Sequence, residues 1–191
     1  MGQTQSIWSY KTRIHSSYYN WVKGTEASGT VMTEGGDKRN RWVEIVVDST
    51  LPAIAGGADL AVAKQIYTFP AGVIHVRDVY MSIALDESDG NITADTPDLG
   101  IGTDAATGAY ATLSACDSGE TLTTENILTG QTMNDCNGTA EVISSSLDTG
   151  LVIAAAGDHE VYINVADGWA ASGEAACGIS GTVVLQYKVM S

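Results

Sequence analysis

The last third of the chain alternates apolar and polar residues with a period of two. Over Thr182–Met190, Val183, Leu185, Tyr187 and Val189 share one side, opposite Val184, Gln186 and Lys188. In His159–Val165, Val161, Ile163 and Val165 stand opposite Tyr162 and Asn164. A strand sends successive side chains to opposite faces, whereas an amphipathic helix needs apolar residues three and four apart. Long helical patterns are absent, which argues against a doubly wound fold.

The same reading places short strands at Trp42–Asp48, Gln65–Phe69, Asp98–Gly102, Ala109–Leu113, Ala140–Ser144 and Leu151–Ala155. Turn signals separate them, among them Pro70-Ala71-Gly72, Asp89-Gly90 and Asp148-Thr149-Gly150. The longest run is Val73–Leu85, and neither of its faces is uniformly apolar. Val73, His75, Arg77, Val79, Met81, Ile83 and Leu85 fall on one side, with Ile74, Val76, Asp78, Tyr80, Ser82 and Ala84 on the other. A bulge or a change of sheet within the run is expected. Residues 114–138 read as a long polar loop, with a helical turn near Thr121–Leu128. The whole predicts an all-β protein, an antiparallel β-sandwich of jelly-roll-like kind with an extended N-terminal arm.

Charge divides the chain near the same place as pattern. Of nine basic residues, Lys11, Arg13, Lys23, Lys38, Arg39 and Arg41 fall in the first 42 positions, against Glu26, Glu34 and Asp37. The rest of the chain is strongly acidic, and the net charge is −14. Trp8, Tyr10, Tyr18, Tyr19 and Trp21 lie among these cations, and no steady apolar period runs through them. Residues 1–41 therefore read as an arm, with a helical turn or two near Ser16–Lys23, and residues 42–191 as the sandwich. Trp, Tyr and Arg are enriched at protein interfaces. The candidate partner-binding set is Trp8, Tyr10, Lys11, Arg13, Tyr18, Tyr19, Trp21, Lys23, Lys38, Arg39 and Arg41.

Chemistry is harder to find. The chain lacks a nucleophile elbow, a Walker motif and a dinucleotide fingerprint, and no catalytic residues, cofactor or metal site are expected. Asp86-Glu87-Ser88-Asp89-Gly90-Asn91 is rich in oxygen but lacks the EF-hand order, and reads as a solvated hairpin tip. Asp95, Asp98 and Asp104 form a weak cation candidate. Cys116, Cys136 and Cys177 lack zinc-ligand spacing and read as buried thiols, with a Cys116–Cys136 bridge as the alternative. An acidic body does not suit nucleic acid, which binds through neutralised phosphates. No run is long enough for a membrane helix, and the first thirty residues lack the apolar stretch of a secretory signal. The opening Met-Gly-Gln-Thr-Gln-Ser fits the N-myristoylation pattern, which is frequent by chance. Neither a nucleic acid nor a membrane is an expected partner.

Tyr67-Thr68-Phe69-Pro70-Ala71-Gly72-Val73, Asp98-Leu99-Gly100-Ile101-Gly102-Thr103, Ala109-Tyr110-Ala111 and Gly181-Thr182-Val183-Val184-Leu185-Gln186-Tyr187 together resemble segments of tailed-bacteriophage virion proteins. The resemblance, over residues 66–190, is to capsid decoration (cement) proteins. It implies a non-enzymatic structural protein on the capsid exterior, bound to the major capsid protein and self-associated as a homotrimer. No catalytic residues transfer, and the arm has no counterpart in the pattern. A second reading is a fibre, baseplate or host-receptor β-sandwich that contacts glycans through Trp169, Tyr110 or the 114–138 loop. A third is a small hydrolase of unrecognised type.

Overall fold

The computed structural model describes residues 22–37, 39–54, 59–87, 92–117, 123–147, 149–154, 159–169 and 177–190. Among the described residues eleven strands are assigned: β1 (Thr25–Glu26), β2 (Thr30–Gly36), β3 (Asn40–Thr50), β4 (Asp59–Thr68), β5 (Val73–Asp86), β6 (Asp98–Gly102), β7 (Leu128–Thr132), β8 (Asn137–Leu147), β9 (Val152–Ile153), β10 (Glu160–Gly168) and β11 (Gly178–Met190). One helical turn, α1 (Leu113–Asp117), lies between β6 and β7. Five strands form one sheet in the order β1-β4-β10-β6-β7. The other has β2-β3-β11-β5-β8, with β9 also paired to β5.

All the pairings are antiparallel, and four of them nest: β3 with β11, β4 with β10, β5 with β8, and β6 with β7. This is the pattern of one long hairpin folded over so that its successive strands alternate between two sheets. It is the jelly-roll arrangement, and the expected all-β sandwich is what the chain forms. Alternation dictates the core. On β3, Val43, Ile45 and Val47 point inward while Trp42, Glu44, Val46 and Asp48 point out. From the opposite sheet Ile66, Leu99, Ile101, Ile163 and Val165 meet them in a single apolar cluster.

The mixed faces of Val73–Leu85 resolve into the expected bulge. Gln186 pairs with Asp78 and Tyr187 with Val76, which leaves Arg77 unopposed. One extra residue reverses the parity of the strand. Ile74 and Val76 are buried before it, and Val79, Met81, Ile83 and Leu85 after it. Thr149 braces the site by donating its N–H to the Arg77 carbonyl (2.8 Å) and its hydroxyl to that of Val76 (2.8 Å).

Several expectations are corrected. Residues 109–113 do not form a strand; only Gly108 bridges, to Ala61, and the chain turns into α1. Thr112 Oγ1 accepts the Ala115 N–H (3.2 Å) and Asp98 accepts that of Leu113 (3.2 Å), so two of the donors at the start of the turn are satisfied. The predicted helical turn near Thr121–Leu128 is not formed over 123–128, which bends into β7; residues 118–122 lie outside the described set. β7 escapes the alternation test because Leu128 is its only buried residue. The boundary at residue 41 also moves. β2 pairs with β3 from Thr30 to Gly36 and β1 pairs with β4, so residues from 25 onward belong to the sandwich. Of the predicted helix near Ser16–Lys23, residues 16–21 are outside the described set, and Val22 and Lys23 have no regular structure.

Candidate interaction surface

Of the basic run at 38–41, Arg39 lies in the turn between β2 and β3, and Asn40 and Arg41 open β3. Asp37 Oδ1 accepts the backbone N–H groups of Arg39 and Asn40, both at 2.7 Å. These bonds favour the ionised carboxylate and hold its pKa below the ordinary value. Gly36 takes a positive φ of 112° here, and a Cβ on it would lie 2.2 Å from the Asn40 carbonyl oxygen. The turn thus demands glycine.

Of the predicted partner-binding residues, Lys23 and Arg39 are exposed. Arg41 is not available. It is buried, and its Nη1 donates to the Val22 carbonyl at 2.7 Å, tying down the chain where the arm begins. The reason is parity: Arg41 shares the inward face with Val43 and Ile45. Trp8, Tyr10, Lys11, Arg13, Tyr18, Tyr19, Trp21 and Lys38 lie outside the described residues.

Beside Arg41 a polar cluster joins the two sheets. Tyr67 on β4 and Tyr187 on β11 both donate to Glu34 Oε1, at 2.6 and 2.7 Å. Their own oxygens are 3.1 Å apart. Burial raises the pKa of both phenols, Tyr67 further through its neighbours Tyr187 and Glu34, so both remain proton donors. Phe69 meets both rings edge-on, at centroid distances of 5.3 and 5.0 Å. Nothing in the sequence spacing brings Glu34, Tyr67 and Tyr187 together, because each comes from a different strand.

The outer face of the six-stranded sheet carries exposed apolar residues among polar ones. Among the described residues, every large exposed hydrophobic except Val22 belongs to this sheet. Paired residues of antiparallel strands share a face. One row therefore runs Val31, Val46, Thr182, Ser82, Ile143, and the next but one Gly35, Trp42, Gln186, Asp78, Leu147. Val31 is 68 % exposed and Ile143 63 %. At the Asn40 end of this face a groove of about 500 Å³ is lined by Arg39, Asn40, Lys188, Val189 and Met190. A second groove, of about 310 Å³, lies where β7 approaches β8, with Glu125, Asn126, Gln131, Ser144, Ser146 and Thr149 on its walls.

Asp98 and Asp104 have structural roles, and Ser88, Asp89, Gly90 and Asn91 of the predicted hairpin tip lie outside the described residues. Asp98 caps α1, and Asp104 accepts the Thr123 N–H (3.0 Å) and hydroxyl (2.9 Å). Buried Asn164 accepts from Ala106 N–H and donates to the Asp104 and Thr124 carbonyls, joining two loops. Among the described residues no group of His, Cys, Asp and Glu is placed to hold a metal, and no helix is long and apolar enough to cross a membrane. Cys116, Cys136 and Cys177 are free and buried, so the Cys116–Cys136 bridge is not formed. Trp169 is buried and its indole N–H donates to the Leu60 carbonyl (3.0 Å), which removes it as a glycan platform. Comparison with protein-family models, curated proteins and solved structures finds no match to this chain.

Proposed function

We propose that this protein is a non-enzymatic decoration protein of a tailed-phage capsid, seated on the outside of the head through its N-terminal segment. The observation that carries the reading is the division of the molecule into a cationic, aromatic beginning and a strongly acidic sandwich. Opposite charges steer such a segment to acidic surfaces of coat or of neighbouring copies. A lattice repeats the same site many times, so modest contacts per copy add up. The jelly roll is compatible with this role but does not select it, since capsid and lectin domains share it.

Adding purified protein to undecorated heads and imaging them by cryo-electron microscopy tests the proposal. Ordered density of this chain on the shell, lost when residues 1–21 are deleted, is the expected result. Full occupancy without the segment would sink the anchoring role. The rival reading, glycan recognition, is favoured only by the hydroxyl- and amide-lined groove between β7 and β8. Cell binding that survives deletion of residues 1–21 and is lost on Ser145→Trp, beside that groove, would favour it.

A further inference from the structure

We infer that two copies of this protein join through β8, strand against strand across a twofold axis at Ser145, so that their six-stranded sheets run on as one. The first observation is the state of the two edges of that sheet. β2 is guarded: Glu26 accepts the N–H of Met32 (3.3 Å), and the strand closes on Gly35 and Gly36. β8 has no such guard. Among the described residues nothing bonds the backbone groups of 143–147 that point away from β5. Natural edges are protected by a charge or a proline, and residues 143–147 carry neither.

The second observation is symmetry. Ile143-Ser144-Ser145-Ser146-Leu147 has the same pattern in both directions, a large apolar residue on each side of three serines. Antiparallel pairing about Ser145 sets Ile143 against Leu147 of the second copy, and Ser144 against its Ser146. Ile143 and Leu147, 63 % and 78 % exposed in the single chain, then cover each other on the outer face. Ser145 also marks the middle of the edge. It pairs with Tyr80, which lies midway between Asp86, paired to β8, and Ile74, paired to β9. Between those strands the Thr149 N–H and the Leu151 carbonyl bond to β5, so the edge is continuous and two copies overlap along its whole length.

Charge is the third observation. The Ile74 end of this edge carries Arg77 on β5 and Lys188 on β11, while the other end carries Asp86 and, just before β8, Asp135. A twofold axis perpendicular to the sheet turns one copy end for end. The cationic end of each then lies beside the acidic end of the other, which suits a second copy as the occupant.

The inference does not depend on the capsid reading, since its test uses the free, full-length protein. Analytical ultracentrifugation should give twice the mass of the chain. Opposed residues of antiparallel strands have Cα atoms about 4.5–5.5 Å apart, within reach of a disulfide. Under mild oxidation Ser145→Cys should therefore form a covalent dimer with itself, whereas Ile143→Cys should form one only when mixed with Leu147→Cys. The native thiols are buried and stay out of the reaction. Ile143→Lys with Leu147→Lys opposes like charges across the axis and should raise the dissociation constant of the dimer about tenfold. Ile143→Lys with Leu147→Glu opposes unlike charges and should keep the dimer. Both positions are exposed, so the single chain folds in either variant. A monomer at every concentration, a trimer, or Ile143→Cys cross-linking to itself would overturn the inference. So would cross-linking of Thr33→Cys, exposed on β2, in place of Ser145→Cys.

Discussion

Glu34 shows how one residue can join two sheets. Its carboxylate receives hydroxyl bonds from Tyr67 in one sheet and Tyr187 in the other, with Phe69 packed against both rings. Removing the Tyr187 hydroxyl should cost about 1.5–3 kcal/mol, the range for a hydrogen bond to a charged group. Tyr187→Phe keeps the ring contact, so urea unfolding of that variant isolates the hydroxyl. The cysteines give a second expectation. Burial raises the Cys177 thiol to about 11, and raises that of Cys136 as well. A thiol that is buried and protonated is a poor nucleophile. Native protein should therefore give almost no reaction with Ellman's reagent at about pH 8, and unfolded protein should release three thiols. Sequence alone suggested buried thiols but could not place Arg41, whose inward direction depends on the register of β3.

At the scale of elements, the β5 bulge is the feature that alternation both disguised and announced. Deleting Arg77 would force Ile74 and Val76 onto the outer face, at about 1.5–3 kcal/mol for each side chain exposed. Arg77→Ala keeps the extra residue and should cost under about 1 kcal/mol, since the bulge is a property of the backbone. Denaturant midpoints of the two variants check the contrast. Strands with a buried face were legible: β3, β5, β10 and β11 lie where the alternation placed them, and β6 has the expected ends. β2 and β7 were not, because edge strands bury little and here carry Gly35, Gly36 and Gly130. Ala109–Leu113 misled for the opposite reason: Tyr110 and Leu113 pack in a small cluster with Cys116 of α1, Ala61 and Ala166 rather than as strand residues.

Over the whole molecule, acidity should shape stability. Burial, then the nearby carboxylates of Asp95 and Asp59, raise the pKa of Asp167 above its ordinary value. The folded state therefore holds this proton more tightly than the unfolded chain. The stability it contributes is full below the ordinary carboxylate pKa and is lost as pH rises through the raised one. Thermal unfolding from about pH 4 to about pH 7 should show this slope, and Asp167→Asn should flatten it. The fold class was legible from period and turns. The polar cluster and the apolar outer face were not, since both depend on pairings between residues far apart in sequence.

The nested pairing has a consequence for synthesis. β11 sits between β3 and β5, yet it leaves the ribosome after both. Until it arrives, β3 and β5 each present a long row of unpaired backbone groups, a template for intermolecular pairing. The nascent chain must wait with its six-stranded sheet split in two. Translation products that stop short of Gly178 should accumulate as insoluble protein rather than as partly folded sandwich.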